Sequence, residues 1–307
     1  MNLSKIEKQI FCTVAGDFKI PDGAYNFRVN GKSVGRSSSD NIDVISKTDV
    51  SGLDIFIKPN TKNEAVHIPV AISKTGLKEA VYNDFHIGDN ADVTIVAGCG
   101  IYNCGELDSI HDGIHRFYVG KNSKIKYIEK HFGFGAGAGG KILNPVTEVF
   151  LEEGAVAELY MEQIKGVDST KRQTRAKLKK DAKLFVNERL FTHGRQTAIS
   201  EYKIDLAGEN STTDINSRSI AQDISRQTFR SKIIGRKKCR GHSACDAIIM
   251  DGASVLALPA LDAKCVDAEL IHEAAIGKIA GEELTKLMTL GLTYAEAESK
   301  IINGFLK

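Results

Sequence analysis

The sequence contains no tryptophan, only five prolines and no long hydrophobic run. Because a membrane-spanning helix needs about 18 or more consecutive apolar residues, the sequence predicts no helical membrane span. Lys and Arg total 41 and Asp and Glu total 39, which leaves a formal charge of +2. That balance gives no reason to expect a nucleic-acid partner. The opening stretch, MNLSKIEKQIF, is charged throughout and lacks the apolar core of a signal peptide, so we expect a cytoplasmic protein.

Cysteine is sparse, with six residues spread over the chain. A secreted domain held by disulfides would be shorter and denser in cysteine, so we expect a reducing compartment. In that setting a cysteine is a buried apolar residue, a metal ligand or a reactive thiol. The six residues are Cys12, Cys99, Cys104, Cys239, Cys245 and Cys265.

A turn residue followed by Ala or Ser, and then by an alternating apolar stretch, recurs along the chain. The small residues at 91, 123, 155, 182 and 211 are 32, 32, 27 and 29 positions apart. A period of about 30 residues is typical of a solenoid, in which one coil covers the apolar face of the next. Strand patterns without intervening helices favour a β-helix. A sandwich would also give short strands, but this near-constant spacing is not its usual mark.

The last part of the chain changes to helical periodicity. Leu284, Leu287 and Met288 are spaced as on one helix face, and Thr293 with Glu296 forms a capping-box pattern. We therefore predict a mainly β fold, with a β-helix core over residues 1–265 and a C-terminal helical region over 266–307. The helices are expected near 282–290 and 294–303. Their apolar residues either cover the last coil or bind a partner, and the sequence leaves both open.

A glycine-rich segment, GFGAGAGGK, imitates a nucleotide-binding loop. Gly135, Gly140 and Lys141 fit the P-loop spacing, but the next residue is Ile142, where a P-loop has a hydroxyl for Mg²⁺. Pro145 follows before a helix could form to hold phosphate. We expect a flexible loop here and no nucleotide on this chain.

Two further patterns lack the context that binding needs. The basic stretches 171–183 and 226–240 contain only Phe229 as an aromatic residue, too little for base stacking, and are expected to be solvated edges. His111 and His115 lie four apart near two cysteines, but in a strand-and-loop context this spacing does not favour a closed zinc site.

The segment CRGHSACD, at 239–246, is the densest group of potential metal ligands in the chain. Arg240 and His242 provide positive potential there, which would favour a thiolate over a thiol at Cys239 or Cys245. This segment is therefore the first candidate for chemistry.

His272 and Glu273 lie 27 and 28 residues beyond Cys245, which is about one repeat. Residues one repeat apart stack about 5 Å apart on adjacent coils, so Cys245 is expected beside one of the two, though not beside both on one face. A thiolate, an imidazole and a carboxylate at that spacing could hold iron or a persulfide. The alternative is a buried cysteine and a surface acid.

Two long stretches resemble SufB and SufD, the scaffold proteins of SUF iron–sulfur cluster assembly. The C-terminal stretch reads CDAIIMDGASVLALPALDAKCVDAELIHEAAIGKI and continues with LTKLMTLGLTYAEAESKIINGFL. The other, within 85–131, contains FHIGDNADVTIVAGCGIYN, SIHDGIHRF and GKNSKIKYIEKH. The resemblance runs from about residue 80 to the end, and the earlier residues match only loosely.

This resemblance implies a right-handed parallel β-helix followed by C-terminal helices. It implies a dimer formed through the β-helix, with a nascent iron–sulfur cluster, expected as [4Fe–4S], held transiently at the interface. It also implies a SufC-like ABC ATPase bound by the helical region. ATP would then bind the partner, so the chain itself is expected not to be an enzyme. The expected docking residues are Leu284, Leu287, Met288, Ile301 and Phe305.

The same resemblance assigns roles to single residues. Cys245 matches the SufB cysteine proposed as a ligand or sulfur acceptor, and Glu273 matches the glutamate paired with it. His272 matches the histidine that SufD contributes, and Cys99 matches the SufB cysteine that receives sulfur and passes it along the β-helix interior. The secondary candidates are Cys239, His242 and Cys104.

Two departures from the family pattern shape the prediction. The chain is expected to lack the N-terminal helical domain of longer relatives, which leaves the sulfur donor and iron source open. It also combines the SufB-type Cys245 and Glu273 with the SufD-type His272. We therefore expect a homodimer of a minimal SufBD-like scaffold. The competing hypotheses are a carbohydrate-active β-solenoid enzyme, which needs aromatic sugar platforms, and a purely structural solenoid, which needs none of these three residues.

Overall fold

The computed structural model describes residues 3–16 and 21–306. Within these ranges the chain forms three helices, α1 Lys5–Ala15, α2 Gly281–Thr289 and α3 Tyr294–Phe305. None of the three is long and apolar enough to cross a bilayer. The strands, in chain order, are β1 Ala24–Val29, β2 Lys32–Ser37, β3 Ile42–Ser46, β4 Gly52–Ile57, β5 Lys62–Ile72, β6 Lys78–Ile87, β7 Asp92–Tyr102, β8 Ser109–Val119, β9 Lys124–Phe134, β10 Lys141–Leu143, β11 Val146–Leu151, β12 Val156–Ile164, β13 Ser169–Leu178, β14 Lys183–Thr192, β15 Thr197–Leu206, β16 Ser211–Ala221, β17 Arg226–Gly235, β18 Cys239–Ile249, β19 Ser254–Ala263 and β20 Ala268–Gly277.

The strands form two sheets between which the chain alternates. The first sheet has the order β2-β1-β5-β7-β9-β12-β14-β16-β18-β20. The second has the order β19-β17-β15-β13-β10-β8-β6-β4-β3, and β11 joins it between β13 and β8. From β4 onward each strand pairs in parallel with strands one coil away, as β16 does with β18. The chain therefore winds as a right-handed parallel β-solenoid of about 8 turns, which confirms the predicted fold class.

Each predicted repeat begins at a turn residue in the left-handed region, where Asn, Asp and Gly are the favoured residue types. The residue that follows is buried where the coils stack, so only a small side chain fits; Ser123 Oγ also accepts the backbone N–H of Ala91 at 3.0 Å. The repeat therefore has a steric cause at every coil. The turn residues, with φ of 55–71°, are Asn90, Asn122, Gly154, Asp181 and Asn210, and the buried residues after them are Ala91, Ser123, Ala155, Ala182 and Ser211.

Inward side chains stack in rows from coil to coil. One row of the first sheet runs through Ile95, Tyr127, Leu159, Val186 and Ile215, all of them fully buried. Truncating such a side chain to alanine costs about 2–5 kcal/mol, because a cavity replaces its contacts. The core is thus a long column in which each coil stabilises the next.

The two ends of the solenoid differ. At the N-terminal end each sheet finishes in an antiparallel hairpin, and Ile42 on the edge strand β3 is fully buried. At the C-terminal end β19 and β20 are the edge strands, and no coil of the described chain covers them. Leu261 on β19 is 41% exposed, whereas its register partner Ile233, one coil earlier, is 0% exposed. The last coil therefore presents the inside of the solenoid to solvent.

Helix α1 lies inside the segment predicted as β-helix, and this corrects the N-terminal part of the 1–265 prediction. The helix begins with a capping box, in which Ser4 Oγ accepts the backbone N–H of Glu7 and Glu7 accepts that of Ser4. Its apolar face packs against the first sheet, where Gly100 leaves the room: a Cβ there would lie 2.4 Å from Ile10 Cγ2. The pattern SKIE followed by spaced apolar residues is the signal that predicts this helix.

The C-terminal boundary also needs correction, because β20 lies within the region predicted as helical. Its sequence AELIHEAAIG alternates and pairs in register with β18. The two predicted helices are present as α2 and α3. Phe305 at the end of α3 and Leu306 after it belong to a cluster with Phe191 and Ile220 near the ends of first-sheet strands. The helices therefore do not cover the last coil.

Candidate functional site

Cys245 and His272 face the interior of the solenoid on adjacent coils. On β18 the buried side chains alternate, and Cys245 is 1% exposed. On β20 His272 lies in register with the buried Ser243, and Ala274 lies in register with Cys245. Because side chains of a strand point to one face at every second position, His272 and Cys245 share the inner face. Of the two expected neighbours of Cys245, the structure brings His272 to the same side.

Glu273 points to the outer face, because it follows His272 directly. There it joins His242, whose Nε2 lies 3.7 Å from Glu273 Oε2 and whose Nδ1 lies 2.9 Å from Asp214 Oδ1. Within one protomer, then, the carboxylate that the resemblance pairs with Cys245 lies on the other side of the sheet. His242, a secondary candidate, belongs to this outer group.

The expectation of a thiolate at Cys245 is wrong. Burial, together with the carboxylates of Glu188 and Asp246, raises the pKa of the Cys245 thiol to about 12. Arg240 and His242 do not offset this, because the alternation of β18 places them on its outer face. Cys245 is therefore a neutral thiol in the isolated protomer.

No side chain of the described residues bonds to His272, and the nearest partner of its ring is the backbone of Ser243. Both ring nitrogens are shielded from solvent. Burial lowers the pKa of the imidazole, so the ring is neutral at neutral pH. A neutral imidazole that no side chain holds is the form that binds a metal ion.

The remaining cysteine candidates lie apart from Cys245. Cys99 is buried on β7, five coil steps away, which at about 4.8 Å per step is about 24 Å. Cys239 is buried at the start of β18, and Cys104 is exposed in the loop after β7. In residues 3–16 and 21–306 no group of three or more His, Cys, Asp or Glu side chains is arranged to hold a metal ion. Among the described residues, Cys245 and His272 thus have no third such ligand beside them.

A buried polar cluster around Glu129 was not predicted from the sequence. Arg172 Nη1 contacts Glu129 Oε2, and Arg172 Nη2 lies 3.2 Å from His131 Nδ1. The Tyr127 hydroxyl donates to Glu129 Oε1 at 2.8 Å and lies 2.7 Å from His115 Nδ1. These residues occupy the solenoid interior, where a charged pair persists only when it is fully paired.

The cluster continues toward Cys245. Glu188 accepts hydrogen bonds from Ser200 Oγ at 2.6 Å and from Ser217 Oγ at 2.7 Å, and its Oε1 lies 3.7 Å from Arg172 Nε. Ser217 is in register with Cys245. A connected line of polar side chains thus runs through the core and ends at the cysteine.

Facing this line, three buried hydroxyls lie on successive coils, and that of Tyr202 adjoins the Glu188 carboxylate. They lie in register on the second sheet: Thr147 with Thr174, and Thr174 with Tyr202. At the His111 and His115 pair, both ring nitrogens of His115 are engaged, by Asn83 at 3.2 Å and by Tyr127 at 2.7 Å, and no third ligand stands beside them among the described residues, which does not favour a zinc site.

A family model for the SufBD core domain of SUF-system iron–sulfur cluster assembly matches residues 78–305. The chain belongs to the SufBD family. It is similar to an iron–sulfur cluster assembly SufBD family protein of Archaeoglobus fulgidus, 30% identical over 264 residues that cover 84% of this chain and 69% of that protein. It is 26% identical to one of Methanocaldococcus jannaschii over 244 residues, 78% of this chain and 76% of that protein. It is 28% identical to one of Pyrococcus horikoshii over 264 residues, 82% and 77% respectively. The resemblance found in the sequence is confirmed.

The helical hairpin of this SufBD chain divides the five predicted docking residues. Leu284 is buried, and Phe305 packs against the solenoid, so these two hold the hairpin in place. Leu287 and Ile301 are half-buried, and Met288 is exposed. The apolar side chains left free for a partner are grouped at the turn between α2 and α3: Met288, Leu290 and Tyr294, of which Leu290 is 75% exposed.

Two buried histidines make the SufBD solenoid sensitive to acid. Burial lowers the pKa of His115 to about 4 and that of His131 to about 3. In the unfolded chain a histidine titrates near pH 6.5, so below that value the unfolded state binds more protons. Their contribution to stability is therefore complete above about pH 6.5 and is lost as the pH falls toward the folded pKa values.

Replacing His115 with glutamine should make the protein less sensitive to acid. Between about pH 7 and about pH 5 the loss of unfolding free energy should be about 2 kcal/mol smaller than in the wild type, since one buried base no longer titrates. Urea unfolding at both pH values measures this. His86→Gln, which removes a histidine of the outer face, is the matched control, and both variants are compared with the wild type. An unchanged slope in His115→Gln would contradict the assignment.

Proposed function

We propose that this chain is a scaffold subunit that builds a nascent iron–sulfur cluster where two copies of it meet. Membership of the SufBD family supports a role in iron–sulfur cluster assembly. One observation supports the site most strongly: the thiol of Cys245, on the next-to-last coil, and the imidazole of His272, on the last coil, both face the interior near the end that no coil of the described chain covers.

The uncovered end supports a homodimer. Its exposed apolar side chains include Leu261 and Ile276 on the inner face and Leu258 and Ile271 on the outer one, and large exposed apolar areas mark contact surfaces. Edge strand β19 contains Pro259, which has no N–H to donate, whereas β20 contains no proline. In a two-fold contact along β20, the unpaired backbone groups of this edge strand would bond to those of β20 in the second copy. Since the other end is closed, such a contact gives a dimer and no filament.

A two-fold contact also supplies each ligand twice. A stable [4Fe–4S] cluster prefers four thiolates, and two copies of this site offer two thiolates with imidazoles, or with Glu273 if the interface brings the outer face near. Such mixed ligation binds a cluster less tightly than four thiolates do. Weaker binding suits a scaffold, because the assembled cluster has to be transferred to another protein. Iron binding would displace the Cys245 proton, so affinity should rise with pH.

Sulfur could reach this site through the solenoid. Cys99 is in register with His131, and His131 contacts Arg172. From there Glu188 and Ser217 lead to Cys245, so polar side chains span a distance too long for direct thiol exchange. We infer that Cys99 takes up sulfur as a persulfide and that hydrosulfide carries it through the polar interior. Hydrosulfide would attack the outer persulfide sulfur, with the Cys99 thiolate leaving, and the hydrodisulfide formed would give that sulfur to the Cys245 thiolate and release hydrosulfide. A persulfide found on Cys99 and never on Cys245 after sulfur loading would exclude this route.

The chain would work with a SufC-like ABC ATPase and perform no catalysis itself. The glycine-rich segment after β9 lacks the P-loop hydroxyl, and Pro145 comes too soon after it for a phosphate-binding helix to form. The exposed apolar turn of the α2–α3 hairpin is a surface of the kind that a partner covers. Closure of two ATP-loaded partners could then pull on the dimer contact and expose the cluster.

The variant Leu290→Asp, combined with Met288→Asp, should abolish co-purification of the ATPase. A charge at the centre of an apolar contact weakens binding at least about tenfold, while these exposed positions leave the fold intact. Leu107→Asp, an exposed leucine in the loop before β8, is the matched control and should still bind. Equal retention of the ATPase by both variants would place the docking surface elsewhere.

Anaerobic reconstitution with Fe²⁺ and sulfide tests the proposed function. We expect a brown chromophore that elutes with the dimer and is transferred to an apo-ferredoxin. A protein that binds no iron, or that keeps its cluster in the presence of an acceptor, would contradict the scaffold role.

A further inference from the structure

The outer face of the second sheet carries a ladder of four stacked rings, which we call the aromatic ladder: Phe56, His86, Tyr118 and Phe150. Successive ring centroids are 4.7, 5.2 and 5.2 Å apart and the planes are within 12° of parallel. Phe56, Tyr118 and Phe150 are each 40–42% exposed. A groove of about 520 Å³ runs beside the ladder. Three large exposed aromatic rings in one groove are unusual for a free surface.

The ladder continues into a group of cations. Lys177 is in register with Phe150 and extends the same column by one coil. In the neighbouring column Arg175, Lys203 and Lys232 lie in register on three consecutive coils, which we call the cation row. Like charges on adjacent strands repel one another, so this row is unfavourable without an anion beside it.

The acids around the row neutralise it only in part, at Arg175. Glu148 is held by Arg116 at 3.0 Å and by Arg175 at 3.2 Å, and Asp205 is held by Arg236 at 2.7 Å. Lys177, Lys203 and Lys232 form no ion pair within the described ranges 3–16 and 21–306. Three exposed lysines therefore remain available: Lys177 and Lys203 line a second cavity beside Phe150, and Lys232 lies one coil beyond Lys203.

We propose that this face binds an acidic segment of a partner protein. An apolar residue of the segment lies against the edges of the aromatic ladder, and its carboxylates pair with Lys177, Lys203 and Lys232. The ring edges carry partial positive charge, which also suits an acidic partner. This inference does not depend on the proposed cluster site, because it concerns the outer surface of the middle coils.

A nucleic acid fits this surface less well. Bases bind aromatic side chains face to face, but each inner ring of the ladder has both faces covered by its neighbours. The chain as a whole carries a formal charge of only +2, whereas nucleic-acid-binding domains are strongly basic. The accessible ring edges and the short cation row match a peptide better.

The test uses the full chain and a fluorescein-labelled peptide in which two leucines precede a run of glutamates. A second peptide, in which glutamine replaces each glutamate, is the control. Fluorescence anisotropy should show binding of the acidic peptide alone, weakening as salt is raised. Lys177→Glu and Lys203→Glu should each reduce affinity about threefold, and the double variant about tenfold. Lys183→Glu, an exposed lysine on the first sheet, should leave affinity unchanged.

Phe150→Ser should also weaken binding of the acidic peptide. If this variant unfolds, the lysine variants still test the proposal, because they change exposed side chains only. Absence of binding by the wild type, or equal binding by the double variant and Lys183→Glu, would overturn the proposal. A labelled oligouridylate that binds more tightly than the peptide, and that the double variant no longer binds, would assign the surface to nucleic acid and would also overturn it.

Discussion

Replacing Cys245 with alanine should abolish the visible chromophore of the anaerobically reconstituted protein. Removing a residue that only hydrogen-bonds to a metal ligand lowers metal affinity about 10–100-fold. Cys245→Ala removes a ligand itself from both copies, so the loss of iron affinity should be larger. The substitution removes one buried sulfur from a single coil, so the fold should persist. Iron and sulfide content and the visible spectrum measure the effect, and thermal unfolding checks the fold.

The matched control is Cys239→Ala, which alters a buried cysteine on the same strand. Its spectrum should equal that of the wild type, because position 239 lies six residues from the site along β18. If Cys245→Ala keeps its chromophore while Cys239→Ala or Cys99→Ala loses it, the cluster lies elsewhere and the proposed site is wrong.

A charge at the open end should convert the dimer into a monomer that cannot hold a cluster. In Leu261→Arg the arginine would be buried, without an acidic partner, where the last coil of one copy meets the last coil of the other. Burying this cation costs about 3 kcal/mol or more, which weakens the dimer about hundredfold. The protomer should remain folded, since Leu261 is 41% exposed there. Analytical ultracentrifugation, followed by reconstitution, measures both consequences.

Ile45→Arg provides the control at the opposite end. Ile45 is also a large exposed apolar residue on an edge strand, but β3 belongs to the closed end. This variant should remain dimeric and should assemble a cluster. A dimer that survives Leu261→Arg and dissociates in Ile45→Arg would reverse the proposed orientation of the two copies.

The fold was readable from the sequence because its repeat has a local cause. A left-handed turn followed by a fully buried small residue restricts both positions at every coil, as at Asn90 with Ala91 and at Asn122 with Ser123. Helix α1 was missed although its capping-box pattern is present in the sequence. The prediction rested on a pattern that recurs about every 30 residues, and a single helix outside the repeat does not contribute to that pattern.

The candidate site was only partly readable, because coil length decides the facing of each side chain. Cys245 pairs with Ala274, a step of 29 residues, so His272 keeps the same face and Glu273 does not. The sequence alone allowed coils of 27 to 32 residues. A coil one residue longer or shorter would turn Glu273 to the inner face and His272 to the outer one.

The interior polar line was not predictable in the same way. In KYIEKHF a buried Glu129 and a buried His131 alternate with solvent-facing residues, and an alternating polar pattern ordinarily places such groups outside. Only the pairing of Glu129 with Arg172, 43 positions away, makes their burial possible.

Native mass spectrometry of the anaerobically reconstituted protein tests the central claim most directly. We expect iron and sulfide only on particles with the mass of two chains, and no iron on single chains at any loading. Iron and sulfide carried by monomers, with the dimer no richer in either, would show that one chain completes the site and would contradict assembly between two open ends.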